Sequence, residues 1–257
     1  MRFCSLGSGS SGNATVVEAR DGLRAHRVVI DCGFSLREFE GRLARAGLAP
    51  DELDAIFVTH EHGDHVGCAL ALSRRHGIPL WTSRGTWRAI GEPDADGVRF
   101  ARDGEPIDIG GLRLLPYTVP HDAAEPLQLR CTDGARALGV LTDAGSITPY
   151  LLDHLRGCHA LLLECNHDTE MLARSRYPAS VRSRIGGPHG HLCNDTAGAI
   201  LGAVAHGGLR HVVAAHLSEQ NNTPALARQA LAGACGASAE DFVVADPATG
   251  FGWLELG

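Results

Sequence analysis

The densest chemistry in the chain lies in Thr59-His60-Glu61-His62-Gly63-Asp64-His65. Three imidazoles and an aspartate follow directly on an apolar run at residues 53–58. A neutral imidazole offers a nitrogen lone pair to zinc-like cations, and a carboxylate offers a hard oxygen. In an extended segment, residues two apart point the same way, so His60 and His62 can grip one ion. A turn at Gly63 then predicts Asp64 and His65 facing a second ion. The bland alternative is a solvated polar turn, but four ligand-type side chains have no reason to gather in one. Two ions need about six to seven protein ligands, so other segments must contribute. His121 follows Val119-Pro120, Asp143 follows the run 138–142, and His216 follows the run 212–215. Each stands just beyond an apolar stretch, where open α/β folds place functional groups. Taken singly, each could be an ordinary polar strand end.

The elements that must position these residues are legible in outline. Strands are expected at residues 2–6, 14–19 and 27–31, with the Gly/Ser loop 7–13 between the first two. A helix from Ser35 to Gly47 would bury Leu36, Phe39, Leu43 and Ala46 on one face. A buried strand at 53–59 leads into the histidine motif, and a helix at 66–76 stops at Gly77. Further strands are expected near Leu80, Val98 and Ile107 and at 112–119, 127–131, 137–142 and 160–164. Helices at 195–205 and 224–234 alternate with strands at 212–215, 242–245 and 252–256. Strands in runs followed by helices predict an α/β sandwich, with two sheets packed together and covered by helices. No linker or composition break interrupts residues 1–257, so one domain is expected.

Composition excludes several function classes. The chain has 257 residues, 44% apolar and 21% charged, which is ordinary for a globular protein. A formal net charge of −7 disfavours a strongly basic nucleic-acid binder. Every basic residue is Arg, so no lysine nucleophile or P-loop lysine exists. The 8 Cys form no CxxC pair and fit no zinc ribbon or disulfide framework. The first residues run into Gly and Ser without an apolar stretch, and no run approaches a membrane span. A cytoplasmic protein away from the membrane is therefore expected. The 14 His are many for this length. His26, His76, His154, His159, His206 and His211 read as surface or core residues, and Cys193 as a packing residue.

The series His60-x-His62-x-Asp64-His65, then His121, Asp143 and His216, resembles the metal-ligand pattern of the metallo-β-lactamase-fold hydrolases. Phe3-Cys4-Ser5-Leu6-Gly7-Ser8-Gly9-Ser10-Ser11-Gly12-Asn13 narrows the resemblance. So do Glu164-Cys165-Asn166-His167-Asp168, Gly190-His191-Leu192-Cys193-Asn194 and His216-Leu217-Ser218-Glu219-Gln220-Asn221-Asn222. These are similar to the WalJ (YycJ) branch, small bacterial nucleases or phosphodiesterases. The resemblance implies a four-layer αββα sandwich. It implies two divalent ions, zinc foremost, with manganese or iron also suited to mixed His/Asp ligands. His60, His62 and His121 would hold the first, Asp64, His65 and His216 the second, and Asp143 would bridge them. His191 would be the general acid and Glu164 its orienting partner, although His191 could exchange roles with His216 or His189.

The implied activity is a phosphodiesterase, exonuclease-like on DNA or RNA, working through a hydroxide shared by both metals. The alternative is a small-molecule hydrolase on the same site, for a cyclic phosphodiester, thioester or lactone. Ser10, Asn13, His167 and Asn194 are candidate substrate contacts. Loop 7–13 could offer N–H groups to a phosphate or be merely a tight turn. Residues 171–190 hold Arg174, Arg176, Arg182 and Arg184 and no acid, which reads as a phosphate guide or a solvated helix face. The short spacings from His121 to Asp143 and from Asp143 to His216 leave no room for large substrate-clamping insertions.

Overall fold

The structure is a computed structural model that describes residues 1–22 and 24–257. The chain opens with β1 (Arg2–Gly7), β2 (Ala14–Asp21) and β3 (Arg24–Ile30). Next come α1 (Leu36–Arg45), β4 (Ala55–Phe57), α2 (Gly63–Val66), α3 (Ala69–His76), β5 (Leu80–Thr82), α4 (Arg84–Ala89) and β6 (Val98–Phe100). A meander follows: β7 (Ile107–Ile109), β8 (Leu112–Thr118), β9 (Leu127–Thr132) and β10 (Ala137–Leu141). The chain then runs through α5 (Pro149–Leu155), β11 (Ala160–Glu164), α6 (Thr169–Ala173), α7 (Ala179–Ile185) and α8 (Asn194–Val204). It ends with β12 (His211–Ala215), α9 (Pro224–Cys235), β13 (Val243–Val244) and β14 (Phe251–Glu255).

The strands form two seven-stranded sheets, β14-β1-β2-β3-β4-β5-β6 and β13-β12-β11-β10-β9-β8-β7. Alternation along each strand sends one set of side chains between the sheets. Phe3, Val17, Val28 and Phe57 meet Leu114, Leu129, Val140 and Val213 there, all fully buried or nearly so. The opposite faces are covered by helices. Phe39 and Leu43 of α1 and Leu72 of α3 pack on the first sheet. Leu151 and Leu155 of α5, Ile200 of α8 and Leu231 of α9 pack on the second. The expected αββα sandwich is the observed architecture. Each fully buried Leu or Phe stabilises it by about 1.5–3 kcal/mol, an upper bound on the folding contribution.

Within the sheets, β3 to β6 run parallel, as do β10 to β13. Parallel strands end at the same edge, so β3, β4, β10, β11 and β12 release their next residues together. Those residues include Asp31, His60, Asp143, Cys165 and His216.

Three local readings change. The strand expected at 53–59 narrows to β4, because a 3-10 turn at Pro50–Glu52 leads into it. The helix expected at 66–76 divides into α2 and α3. Gly67 between them has φ +28°, and a Cβ there would lie 2.3 Å from the Cys32 carbonyl oxygen. Gly63 opens α2 rather than making a turn, so Asp64 and His65 sit in its first turn. The sequence reading also missed α4 and α5. Ser83 caps α4 by accepting from the Thr86 N–H, and Thr148 with Pro149 starts α5.

Candidate metal centre

Two groups of donor atoms form where the sheet edges meet. In the first, His60 Nε2 lies 3.0 Å from His62 Nδ1, and His121 Nε2 lies 3.3 Å from the same nitrogen. Each flanking ring is held from behind. His60 Nδ1 meets Thr59 Oγ1 at 3.0 Å, and His121 Nδ1–H donates to the Gly190 carbonyl at 3.0 Å. In the second group, His65 Nδ1–H donates to Asp31 Oδ2 at 2.8 Å and His216 Nδ1–H to Asn13 Oδ1 at 3.2 Å. Their Nε2 atoms face Asp143, at 2.8 Å from Oδ2 and 3.4 Å from Oδ1, and Asn13 Nδ2 also lies 3.2 Å from His65 Nε2. Asp64 Oδ2 stands 3.5 Å from His65 Nε2 and 3.9 Å from His216 Nε2. The donor atoms of His60, His62 and His121 lie within 4.8 Å of one another, as do those of Asp64, His65 and His216, and Asp143 belongs to two overlapping groups, one with His60 and His65 and one with Glu164, His191 and His216.

Burial and charge give this cluster its character. Burial and the neighbouring His65 hold the His60 imidazole well below its usual pKa, and burial lowers His121 too. Both rings are therefore neutral near neutral pH, the form that binds a metal. Burial raises the Asp143 carboxyl, but His216 and His65 outweigh it and hold it well below the carboxylate range. Burial opposes charge on His65, yet Asp143 and Asp31 outweigh it and raise that pKa well above the usual value. Both shifts favour a positive charge between His65 and Asp143.

A metal ion would supply that charge. Asp143 Oδ2 is buried and makes no well-formed hydrogen bond, although His65 Nε2 is only 2.8 Å away. With His65 Nδ1–H given to Asp31, Nε2 turns a lone pair toward that oxygen. Two electron-rich atoms at such a distance fit a cation between them. Asp31, Asp143 and Glu164 are all buried carboxylates, which is costly without compensating cations. The donor set fits divalent metal.

Beside this centre, His191 Nδ1–H donates to Glu164 Oε1 at 2.8 Å and lies 3.2 Å from Asp143 Oδ1. Glu164 is itself fixed, because its Oε2 accepts the N–H groups of Ala144 and Leu192. Burial opposes charge on His191, but Glu164 and Asp143 outweigh it and push its pKa up to about 10. His191 lines a cleft of about 300 Å³ with Gly145, His167, Arg182, Cys193 and Thr196. A larger groove of about 870 Å³, bordered by Glu170, Arg174, Arg176 and Leu226, contains none of the site histidines.

The four candidate substrate contacts fare differently. His167 is buried but lines the cleft; its Nδ1–H donates to Asn166 Oδ1 at 3.3 Å. Asn13 sits behind the donors: its side chain reaches Asp64 Oδ2 at 3.3 Å and His216 Nδ1 at 3.2 Å, so it orients them. Asn194 is buried away from the cleft and exchanges two hydrogen bonds with Asn222. Ser10 is exposed at the tip of its loop. Within that loop the N–H groups of Ser8, Gly9, Gly12 and Asn13 donate inside the protein, which leaves only the tip at Ser10 and Ser11 to offer N–H groups outward.

Asp31, Thr59 and Ser8 support the donors from behind, a role that their residue types do not announce. Thr59 donates its N–H and hydroxyl to Asp31, and Ser8 Oγ accepts the His216 N–H. Asp31, Asp143 and His216 all have positive φ, 63°, 53° and 54°, which is uncommon for side chains with a Cβ. Asp31 ended an expected strand just as Asp143 did, which was the one available signal.

Fold and site together define a class of metal-dependent hydrolase. Residues 26–217 match the family described as the Beta-lactamase superfamily domain, and the chain belongs to that family. Over 235 residues it is 33% identical to exodeoxyribonuclease YycJ of Bacillus anthracis, covering 90% of this chain and 88% of that protein. Over 236 residues it is 28% identical to exodeoxyribonuclease WalJ of Streptococcus pneumoniae, covering 90% and 86%. The crystal structure of the metallo-β-lactamase fold protein YhfI from Bacillus subtilis superposes with a TM-score of 0.75 at 15% identity, covering 99% of each chain, which bears on fold alone.

Proposed function

We propose that this protein is a dinuclear metal-dependent phosphodiesterase acting as an exonuclease on nucleic acid. The observation that carries the reading is the convergence of imidazoles on Asp143, whose buried Oδ2 fits a cation. His60, His62 and His121 would hold one ion, Asp64, His65 and His216 the other, with Asp143 placed between the two groups. Zinc suits this nitrogen-rich set best, and manganese or iron is compatible with it. Two divalent cations bound there would supply Lewis-acid charge for a water nucleophile and for the phosphodiester oxygens.

The chain's own groups do the rest. Glu164 holds the His191 ring and favours its protonated form, so His191 donates a proton to the leaving oxygen. The two relatives named exodeoxyribonucleases support DNA as the substrate. Both sheets and loop 7–13 contribute to the site, which supports reading residues 1–257 as one domain. A cytoplasmic setting is supported by eight free thiols, six of them buried. No helix among the described residues is long and apolar enough to cross a membrane.

The test is metal-dependent cleavage of bis(p-nitrophenyl) phosphate and of end-labelled single-stranded DNA. His60→Ala is expected to lower both rates by about 10³-fold or more, as is chelation of the wild-type chain. Ordinary turnover by metal-replete His60→Ala protein would refute the assignment.

A further inference from the structure

The arginines of α7 reach two parts of the site. Arg182 lines the cleft that also contains His191. One of its five N–H donors goes to the Ala173 carbonyl at 2.6 Å. Arg184 Nε donates to Asp122 Oδ2 at 2.5 Å, and Asp122 Oδ1 lies 3.5 Å from His121 Nε2. Asp122 thereby ties an exposed guanidinium to the rim of the first donor group.

The other two arginines of this segment differ. Arg174 pairs with Glu170 at 3.3 Å, and both are exposed. Arg176 borders the separate, larger groove.

We propose that Arg182 and Arg184 form a two-point phosphate clamp that selects a polynucleotide strand over a single phosphodiester. The inference rests on the phosphodiesterase reading. If His191 protonates the leaving oxygen, the cleft it shares with Arg182 receives the leaving-group side of the strand. Arg182 then grips the neighbouring phosphate on that side, and Arg184 grips the strand beside His121. A guanidinium fork matches phosphate oxygens in pairs, so each contact adds orientation as well as charge. A cyclic or simple diester has one phosphate and cannot fill both places. The clamp also explains how a chain of net charge −7 holds a polyanion: residues 171–190 carry no acid, although Asp122 pairs with Arg184. Asp122 is a positioning residue that fixes where Arg184 points.

The experiment measures binding of a phosphorothioate oligothymidylate to the metal-loaded chain by fluorescence anisotropy across a salt series. Each phosphate contact on a single strand contributes about 0.7 to the slope of log affinity against log salt. Arg182→Ser and Arg184→Ser are each expected to lower the slope by about that amount and to weaken low-salt binding several-fold. Arg184→Lys should restore most of the slope, because the charge returns. Arg174→Ser should change neither quantity. An unmoved slope in both serine variants, or an equal loss in Arg174→Ser, overturns the clamp. Slope losses confined to Arg182 and Arg184 support it even in a chain without chelator-sensitive hydrolysis, an outcome that would instead remove the phosphodiesterase reading.

Discussion

At His65 one imidazole is committed at both ends. Its Nδ1–H is held by Asp31, which leaves Nε2 for Asp143 and the cation that fits between them. Asp31 accepts from the Thr59 N–H and hydroxyl as well, so it cannot swing away. A carboxylate behind a metal-binding histidine sets tautomer and orientation, and its loss typically costs 10–100-fold in metal affinity. Asp31→Ala is expected to weaken metal binding by about that factor, measured by competition with a chromophoric chelator. Unchanged affinity would show that Asp31 does not position the ring. At this scale the sequence was legible for donors and poor for their supports. A metal ligand advertises itself by type and clustering. Asn13 is expected from the sequence as a substrate contact, and its bonds to the ligands from behind leave no mark on the sequence.

At the scale of elements, the three neighbouring strands β1, β2 and β3 are joined by one buried carboxylate. Glu18 of β2 accepts from Arg2 Nε at 2.8 Å and from Arg27 Nε at 2.7 Å. Burial raises its pKa, but the two guanidinium groups outweigh burial and hold it below the usual carboxylate value. The folded pKa is thus lower than the unfolded one. The stabilisation is present above the unfolded pKa and is lost as pH falls through the folded one. Glu18→Gln is expected to lower stability by about 2 kcal/mol at neutral pH. The gap to wild type should close as pH falls below about 4. Urea denaturation at a series of pH values checks this, and a gap independent of pH would contradict the ion-pair account. These strands were readable because they alternate or are uniformly apolar. The break between α2 and α3 was not, because it arises from Cys32 approaching Gly67 from a distant part of the chain.

For the whole molecule, the donors come from both sheets: His60, His62, Asp64 and His65 follow β4 of the first, while His121, Asp143 and His216 follow strands of the second. Metal bound there would therefore tie the two halves together at one edge. A ligand that binds only the folded state stabilises it by about 4 kcal/mol at a thousand times its Kd. With roughly 2–4 °C per kcal/mol for a chain of this size, chelation should lower Tm by about 10 °C. Differential scanning calorimetry with and without chelator measures it, and coincident transitions would argue against a shared metal centre.

The histidine motif, the strand-end donors, the absence of lysine and the layered α/β architecture were all decided by residue type and local spacing. Such features survive in a linear string because coordination chemistry and alternating burial each impose a short-range pattern. What folding alone decided was distance. Only the parallel edge brings Asp31, Asp143 and His216 to one place, gives each its left-handed backbone, and turns Asn13 inward. Only the tertiary structure separates Arg182 and Arg184 from Arg174, since all three look alike until Asp122, Glu170 and the cleft beside His191 give them different neighbours.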